Sequence, residues 1–146
     1  MTQHNTIHSL EEMKRFAEAF AKEIDAKAFC VVTLQGDLAA GKTTFTQSVA
    51  KYLGVKEHVQ SPTYALLRSY PIEKPAGSLH HLDLYRVESL ESLEHYGIID
   101  LILAKKGIFF IEWPELLLPY LKVSEIVPIS IHITVENATT RKIIVD

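Results

Sequence analysis

Cysteine is almost absent from this chain. Cys30 stands alone among 146 residues, so no internal disulfide can form, and the thiol, lying within an apolar run, reads as a buried one. Long hydrophobic runs are also missing, which excludes a membrane-spanning helix. The N-terminal residues are polar and lack the apolar stretch of a signal peptide. There is no basic excess: 15 lysines and arginines face 18 acidic residues, a net charge of −3. A general nucleic-acid binder needs a basic face, so that class is disfavoured. Arginine is scarce, limited to Arg15, Arg68, Arg86 and Arg141, and no arginine-rich segment suggests the lid of a small kinase. The only asparagines, Asn5 and Asn137, are not part of a guanine-reading N-K-x-D motif. Repeats, low-complexity tracts and long linkers are absent. With 47% apolar and 23% charged residues, the chain reads as one globular domain, residues 1–146, suited to a reducing cytoplasm.

What is present centres on residues 34–45. Gly36, Gly41, Lys42 and Thr43 have the G-x-x-x-x-G-K-T spacing of a phosphate-binding loop. Phosphate needs several backbone N–H groups turned onto one anion, and the necessary bends favour small residues. The loop candidates are Asp37, Leu38, Ala39, Ala40, Gly41, Lys42, Thr43 and Thr44. Lys42 supplies positive charge to the β and γ phosphates, and the Thr43 hydroxyl suits Mg²⁺. The helix starting here points free N–H groups and partial positive charge at the same anion. The context agrees. Residues 28–34 form an apolar, β-branched run expected as a buried parallel strand. Residues 43–53 have apolar positions at helical spacing, with Gly54 at the stop.

Residues 9–24 are expected to form an amphipathic helix. Ser9 caps it, Glu12 completes a capping box, and Leu10, Met13, Phe16, Ala17, Phe20 and Ile24 form the apolar stripe. Residues 56–64 contain a Ser61-Pro62 turn and two hydroxyls, Ser61 and Thr63. They form either a γ-phosphate-sensing loop or a plain entry into the next strand. Residues 64–72 and 78–85 alternate around turn residues 73–77 and read as a β-hairpin. Leu82 and Leu84 share one face, and His81, Asp83 and Tyr85 the other. A carboxylate within a strand needs a partner. Asp83 is therefore a candidate for the metal or the attacking water, or else pairs with Arg68 or Arg86. His80 and His81 have no cysteine or carboxylate at ligand spacing, so zinc is not expected.

Residues 87–106 read as one or two short helices broken near Gly97, with Leu90, Leu93, Ile98, Ile99, Leu101 and Ile102 inward. Residues 107–113 contain four large apolar residues followed by Glu112, the pattern of a Walker B strand. Such a strand would deliver Glu112 to Mg²⁺ beside the phosphate loop. Pro114 would open a short helix through Leu118. The tail, residues 126–145, reads as another hairpin with Ile129, Ile131, Ile133 and Val135 on a buried face. Its turn, 137–139, is placed to reach an adenine, making Asn137 a candidate contact.

These motifs together resemble the TsaE (YjeE) family of bacterial ATPases, which serves threonylcarbamoyladenosine synthesis on tRNA. The resemblance rests on residues 36–44, the 61–64 block S-P-T-Y, the 81–86 block H-L-D-L-Y-R and the 111–115 block I-E-W-P-E. The leading helix and residues 94–97 agree, so it spans nearly the whole chain. It implies ATP as ligand, Mg²⁺ near Thr43 and Glu112, and Asp83 close to the reacting phosphate. It implies a 61–63 loop that switches, and a TsaB–TsaD-like protein complex as partner, with tRNA engaged only indirectly. Ala39 departs from the family, which usually has glycine there. A position needing φ > 0 would be strained by alanine, and Ala39 is expected in tolerated space. The expected fold is a three-layer α/β P-loop NTPase-like fold with a mixed sheet and antiparallel hairpins. Lys42, Asp83 and Glu112 are the expected catalytic residues. A small P-loop kinase and a nucleotide-binding scaffold without turnover are the alternatives.

Overall fold

The structure, a computed structural model, describes residues 2–37 and 39–146. A seven-stranded sheet runs in the order β1-β7-β6-β2-β5-β4-β3. The strands are β1 Gln3–Ile7, β2 Phe29–Gln35, β3 Leu67–Pro71, β4 Ser78–Asp83, β5 Gly107–Glu112, β6 Ile129–Val135 and β7 Arg141–Val145. β6, β2, β5 and β4 are mutually parallel, while β3, β7 and β1 join antiparallel at the edges. The mixed sheet with antiparallel hairpins is therefore the expected one.

Helices cover both faces, because the central strands are apolar on both sides. α1 Leu10–Ile24 and α2 Lys42–Tyr52 lie on one face. Their core includes Phe20, Phe45 and Phe110, with the Phe45 and Phe110 rings stacked 6.0 Å apart. Phe45 follows the phosphate loop by two residues, so this stack pins the start of α2. α3 Leu90–His95, α4 Ile98–Leu103 and α5 Leu118–Val123 belong to the other face, around Leu93, Ile102, Phe109, Ile111 and Leu121. The break between α3 and α4 falls at Gly97, whose φ of 77° is left-handed.

α1 is capped as its sequence predicts: the Glu12 N–H donates to Ser9 Oγ at 3.1 Å. The Glu12 carboxylate reaches back to the N–H of His8, one residue before the usual position. Five expectations need correction. β1 was not expected; Gln3–Ile7 is polar and mostly exposed, and pairs as an edge strand with β7. β3 begins at Leu67 instead of residue 64, because residues 62–66 turn on the Pro62 carbonyl. The helix after Pro114 is a 3-10 turn, Pro114–Leu116, and α5 then continues to Val123. Pro119 lies in the first turn of α5, where a missing N–H costs little. In the tail, Ile131 and Ile133 are buried but Val135 is 43% exposed. Ala39 adopts φ 64°, in the left-handed region and not in the ordinary space expected for it.

Candidate functional site

Three parallel strands end at one level. Leu34, Glu112 and Asp83 are Cα partners across β2, β5 and β4. The phosphate loop leaves β2 beside two carboxylates, each at a strand's last residue. Gly36 is required by close approach: a Cβ there would lie 2.5 Å from the Ile133 carbonyl oxygen. Gly41 opens α2 at φ 111°, and α2 has no side-chain cap. Among the described residues, the N–H groups of Gly41, Thr43 and Thr44 meet no acceptor. Unpaired donors at a helix start form a nest for an anion.

Arg141 holds this loop from behind. Its Nε donates to the Ala40 carbonyl at 3.1 Å, and its Nη1 to the carbonyls of Asn137 and Thr140. The carbonyl and N–H of a trans peptide point in opposite directions. Holding the Ala40 carbonyl therefore turns the Gly41 N–H away from Arg141.

Lys42 is 5% exposed. Its Nζ donates to the Gly36 carbonyl at 2.8 Å, lies 3.9 Å from Glu112 Oε1, and sits 4.1 Å from the centre of the Trp113 ring. Trp113 itself has left-handed backbone angles, φ 54° and ψ 58°. The other oxygen of Glu112, Oε2, is 2.6 Å from His81 Nε2. Asp83 accepts from Thr63 Oγ1 at 3.0 Å and from the Tyr85 N–H at 2.9 Å. Thr63 Oγ1 also lies 2.8 Å from Ser61 Oγ. The salt bridge considered for Asp83 is not found among the described residues, and Arg86 stacks on the Tyr64 ring at 4.5 Å.

Lys42, Thr43, Thr44, Thr63, Asp83 and Glu112 converge with Ala39 and Gly41 on one polar cleft of about 220 Å³. A larger cleft of about 420 Å³ adjoins it and shares Ala39, Gly41 and Thr44. Its other lining includes Ile7, Leu10, Met13, Ala138 and Arg141. Ala40, 1% exposed, also lines this second cleft. Asp37 is exposed, and its carbonyl accepts from the Ala40 N–H. Leu38 lies outside the described residues. Asn137 keeps its side chain inside the turn, accepting from Thr139 and Thr140, while its neighbours Ala138 and Thr139 line the larger cleft. Sequence reasoning weighed His81 only as a zinc ligand beside His80, and did not single out Trp113 or Arg141. A signal existed for His81, because it shares a strand face with Asp83. Trp113 stood next to the Walker B carboxylate. Arg141 offered none.

Cys30 and His80 lie outside this constellation. Burial pushes the Cys30 thiol up to about 11, slightly opposed by Lys27, which leaves it unreactive. Burial also lowers the pKa of His80, which stacks on Phe109 and bonds Ser69.

A glycine-bounded loop between a buried parallel strand and a helix, with a lysine and a carboxylate from the neighbouring strand, defines a P-loop NTPase-like protein. Residues 7–143 match the family model described as "Threonylcarbamoyl adenosine biosynthesis protein TsaE". A Haemophilus influenzae protein named "tRNA threonylcarbamoyladenosine biosynthesis protein TsaE" is 44% identical over 103 residues, covering 70% of this chain and 62% of that protein. A Rickettsia bellii protein of the same name is 37% identical, over 76% of this chain and 74% of that protein. The crystal structure of Bacillus subtilis YdiB superposes with a TM-score of 0.71 at 27% identity, covering 99% of this chain and 84% of that one. The chain belongs to the TsaE family. Among its described residues, no helix is long and apolar enough to cross a membrane.

Proposed function

We propose that this chain is a Mg²⁺-dependent ATPase that supports threonylcarbamoyladenosine formation on tRNA by acting on a TsaB–TsaD-like protein complex. The observation that carries the reading is the convergence of Gly41, Lys42, Thr43, Thr44, Asp83 and Glu112 on one cleft, with the loop N–H groups of Gly41, Thr43 and Thr44 meeting no acceptor among the described residues. The relatives' names supply the pathway.

The donor set suits the ligands. Unpaired N–H groups and a buried ammonium match a triphosphate. Mg²⁺ in such sites takes one or two protein oxygens and shares the phosphates, so the Thr43 hydroxyl and a Glu112 oxygen are sufficient. When bound, Mg²⁺ would neutralise charge on the phosphate oxygens. Lys42 leaves the Gly36 carbonyl and Glu112 for the phosphates. The loop N–H groups hold the transferring phosphoryl oxygens, and Asp83 or Glu112 orients the attacking water. Water's oxygen bonds to the γ phosphorus as the bond to the ADP oxygen breaks. The base belongs in the larger, more apolar cleft. ATP is favoured over GTP because no guanine-reading motif exists, and calorimetry with each nucleotide and Mg²⁺ checks this. Tighter GTP binding would overturn that preference.

Among the described residues, no arginine lines the polar cleft. Arg141 is engaged with the Ala40 carbonyl and Arg86 with the Tyr64 ring, which favours slow hydrolysis by the lone chain until a partner supplies or frees a transition-state arginine. The test is phosphate release from ATP with and without the partner complex. The proposal expects slow release alone and marked stimulation by the complex. Release at the level of buffer in both cases would favour a nucleotide-binding scaffold instead.

A further inference from the structure

His81 lies two residues before Asp83 on β4, on the sheet face that carries Phe110 and Glu112. Its imidazole is completely buried. Nε2 meets Glu112 Oε2 at 2.6 Å, and Nδ1 has no partner among the described residues. Nε2 is the nitrogen that faces the carboxylate, while Nδ1 is buried with nothing among the described residues to bond. A leucine of similar size would pack here without that loss. The imidazole is thus a costly way to fill a strand position, unless its bond to Glu112 matters.

The two oxygens of Glu112 are used differently. Oε2 faces His81 and Oε1 faces Lys42, and both Lys42 and Glu112 line the polar cleft. The last torsion of a glutamate is broad, so nothing intrinsic fixes which oxygen faces where. If Lys42 departs to a triphosphate, His81 is the partner that remains to hold the carboxylate plane.

We propose that His81 is a positioning residue: it grips one oxygen of Glu112 so that the other stays aimed at the cation site. The inference rests on the reading of Glu112 as a Mg²⁺ ligand. It asks for no change in protonation, only a fixed donor at Nε2. Outer-sphere partners of this kind typically change metal affinity by about 10–100-fold.

The test uses the full chain and three variants. His81→Gln places an amide N–H near the former position of Nε2. His81→Leu keeps bulk without a donor, and His81→Asn keeps polarity but falls short of Glu112. Trp113, the single tryptophan, sits beside Lys42 and is the fluorescence probe for nucleotide binding, because a phosphate that draws Lys42 away changes its surroundings. Mg²⁺ is titrated at fixed ATP, reading fluorescence and phosphate release, with a thermal melt for each variant. We expect His81→Leu to fold, with the lost donor to buried Glu112 offsetting the gain from removing Nδ1, and to bind metal-free ATP like wild type. It should need about tenfold more Mg²⁺ for half its signal. His81→Asn should follow it, and His81→Gln should recover most of the wild-type Mg²⁺ requirement. If His81→Leu does not fold, the Asn and Gln variants decide. An unchanged Mg²⁺ requirement in His81→Leu or His81→Asn, or equal impairment in His81→Asn and His81→Gln, overturns this inference alone. A wild-type chain whose ATP binding ignores Mg²⁺ overturns the reading of Glu112 and this inference together.

Discussion

The two clefts beside the phosphate loop share Ala39, Gly41 and Thr44 but are built from opposite materials. The polar cleft is assembled from strand ends and the loops that leave them, with Lys42, Asp83 and Glu112 each 5% exposed or less. The larger cleft is assembled from the two ends of the chain: Ile7, Leu10 and Met13 from one, Ala138, Thr139 and Arg141 from the other. Parallel strands bring carboxylates to one edge in fixed register, so chemistry there tolerates little change. Apolar contact with a base has no such register. Substitutions in the first cleft should therefore change turnover, and those in the second should change affinity.

The largest effect is expected from Glu112→Gln. Hydrolysis should fall by about 10²–10³-fold, the loss typical of removing one preorganised charge-stabilising group. ATP affinity should stay within about tenfold, or roughly 1.4 kcal/mol. Single-turnover phosphate release and calorimetry separate the two, and full activity would remove Glu112 from the mechanism. Thr63→Ala comes next. It breaks the bond to Asp83 that links the 61–63 loop to the site. ATP should still bind, while stimulation by the partner complex is lost; a normal response to the partner would contradict the switch.

The larger cleft should respond more mildly. Leu10 is 58% exposed and free of the core, so Leu10→Ala tests the base side without a folding penalty. Its dissociation constant for ATP should rise by less than about tenfold, with turnover at saturation unchanged. A fall in kcat would erase the division between the clefts. The smallest effect falls where the clefts meet. Ala39→Gly removes the strain of φ 64°, offset by greater freedom in the unfolded chain. The net change should be below about 1 kcal/mol, seen as a slightly higher melting temperature and tighter ATP binding.

The same division governed what could be read from the sequence. Every charged residue of the polar cleft sat in a local signature: the glycine spacing around Lys42, the apolar run before Glu112, the alternation around Asp83. The larger cleft had none, because Leu10 and Met13 read simply as a helix stripe. β1 escaped notice since Gln3–Ile7 carries one buried residue, Ile7, and its pairing partner lies at the far end of the chain. The helix expected to end at Leu118 instead starts there, with Pro119 in the first turn of α5. His81 was visible as a neighbour of Asp83, but its bond to Glu112 spans 31 residues and appears only when β4 and β5 pair. Arg141 bonds a carbonyl 101 residues away, and no spacing rule reaches that far.

The central claim is one nucleotide site divided between two clefts. A crystal structure of the chain with Mg²⁺ and a non-hydrolysable ATP analogue tests it most directly. The account predicts the triphosphate against the loop N–H groups, Lys42 moved from Glu112 onto a phosphate oxygen, and the base between Leu10 and the 137–139 turn. A nucleotide bound elsewhere, or Lys42 still on the Gly36 carbonyl with the phosphates present, would contradict it.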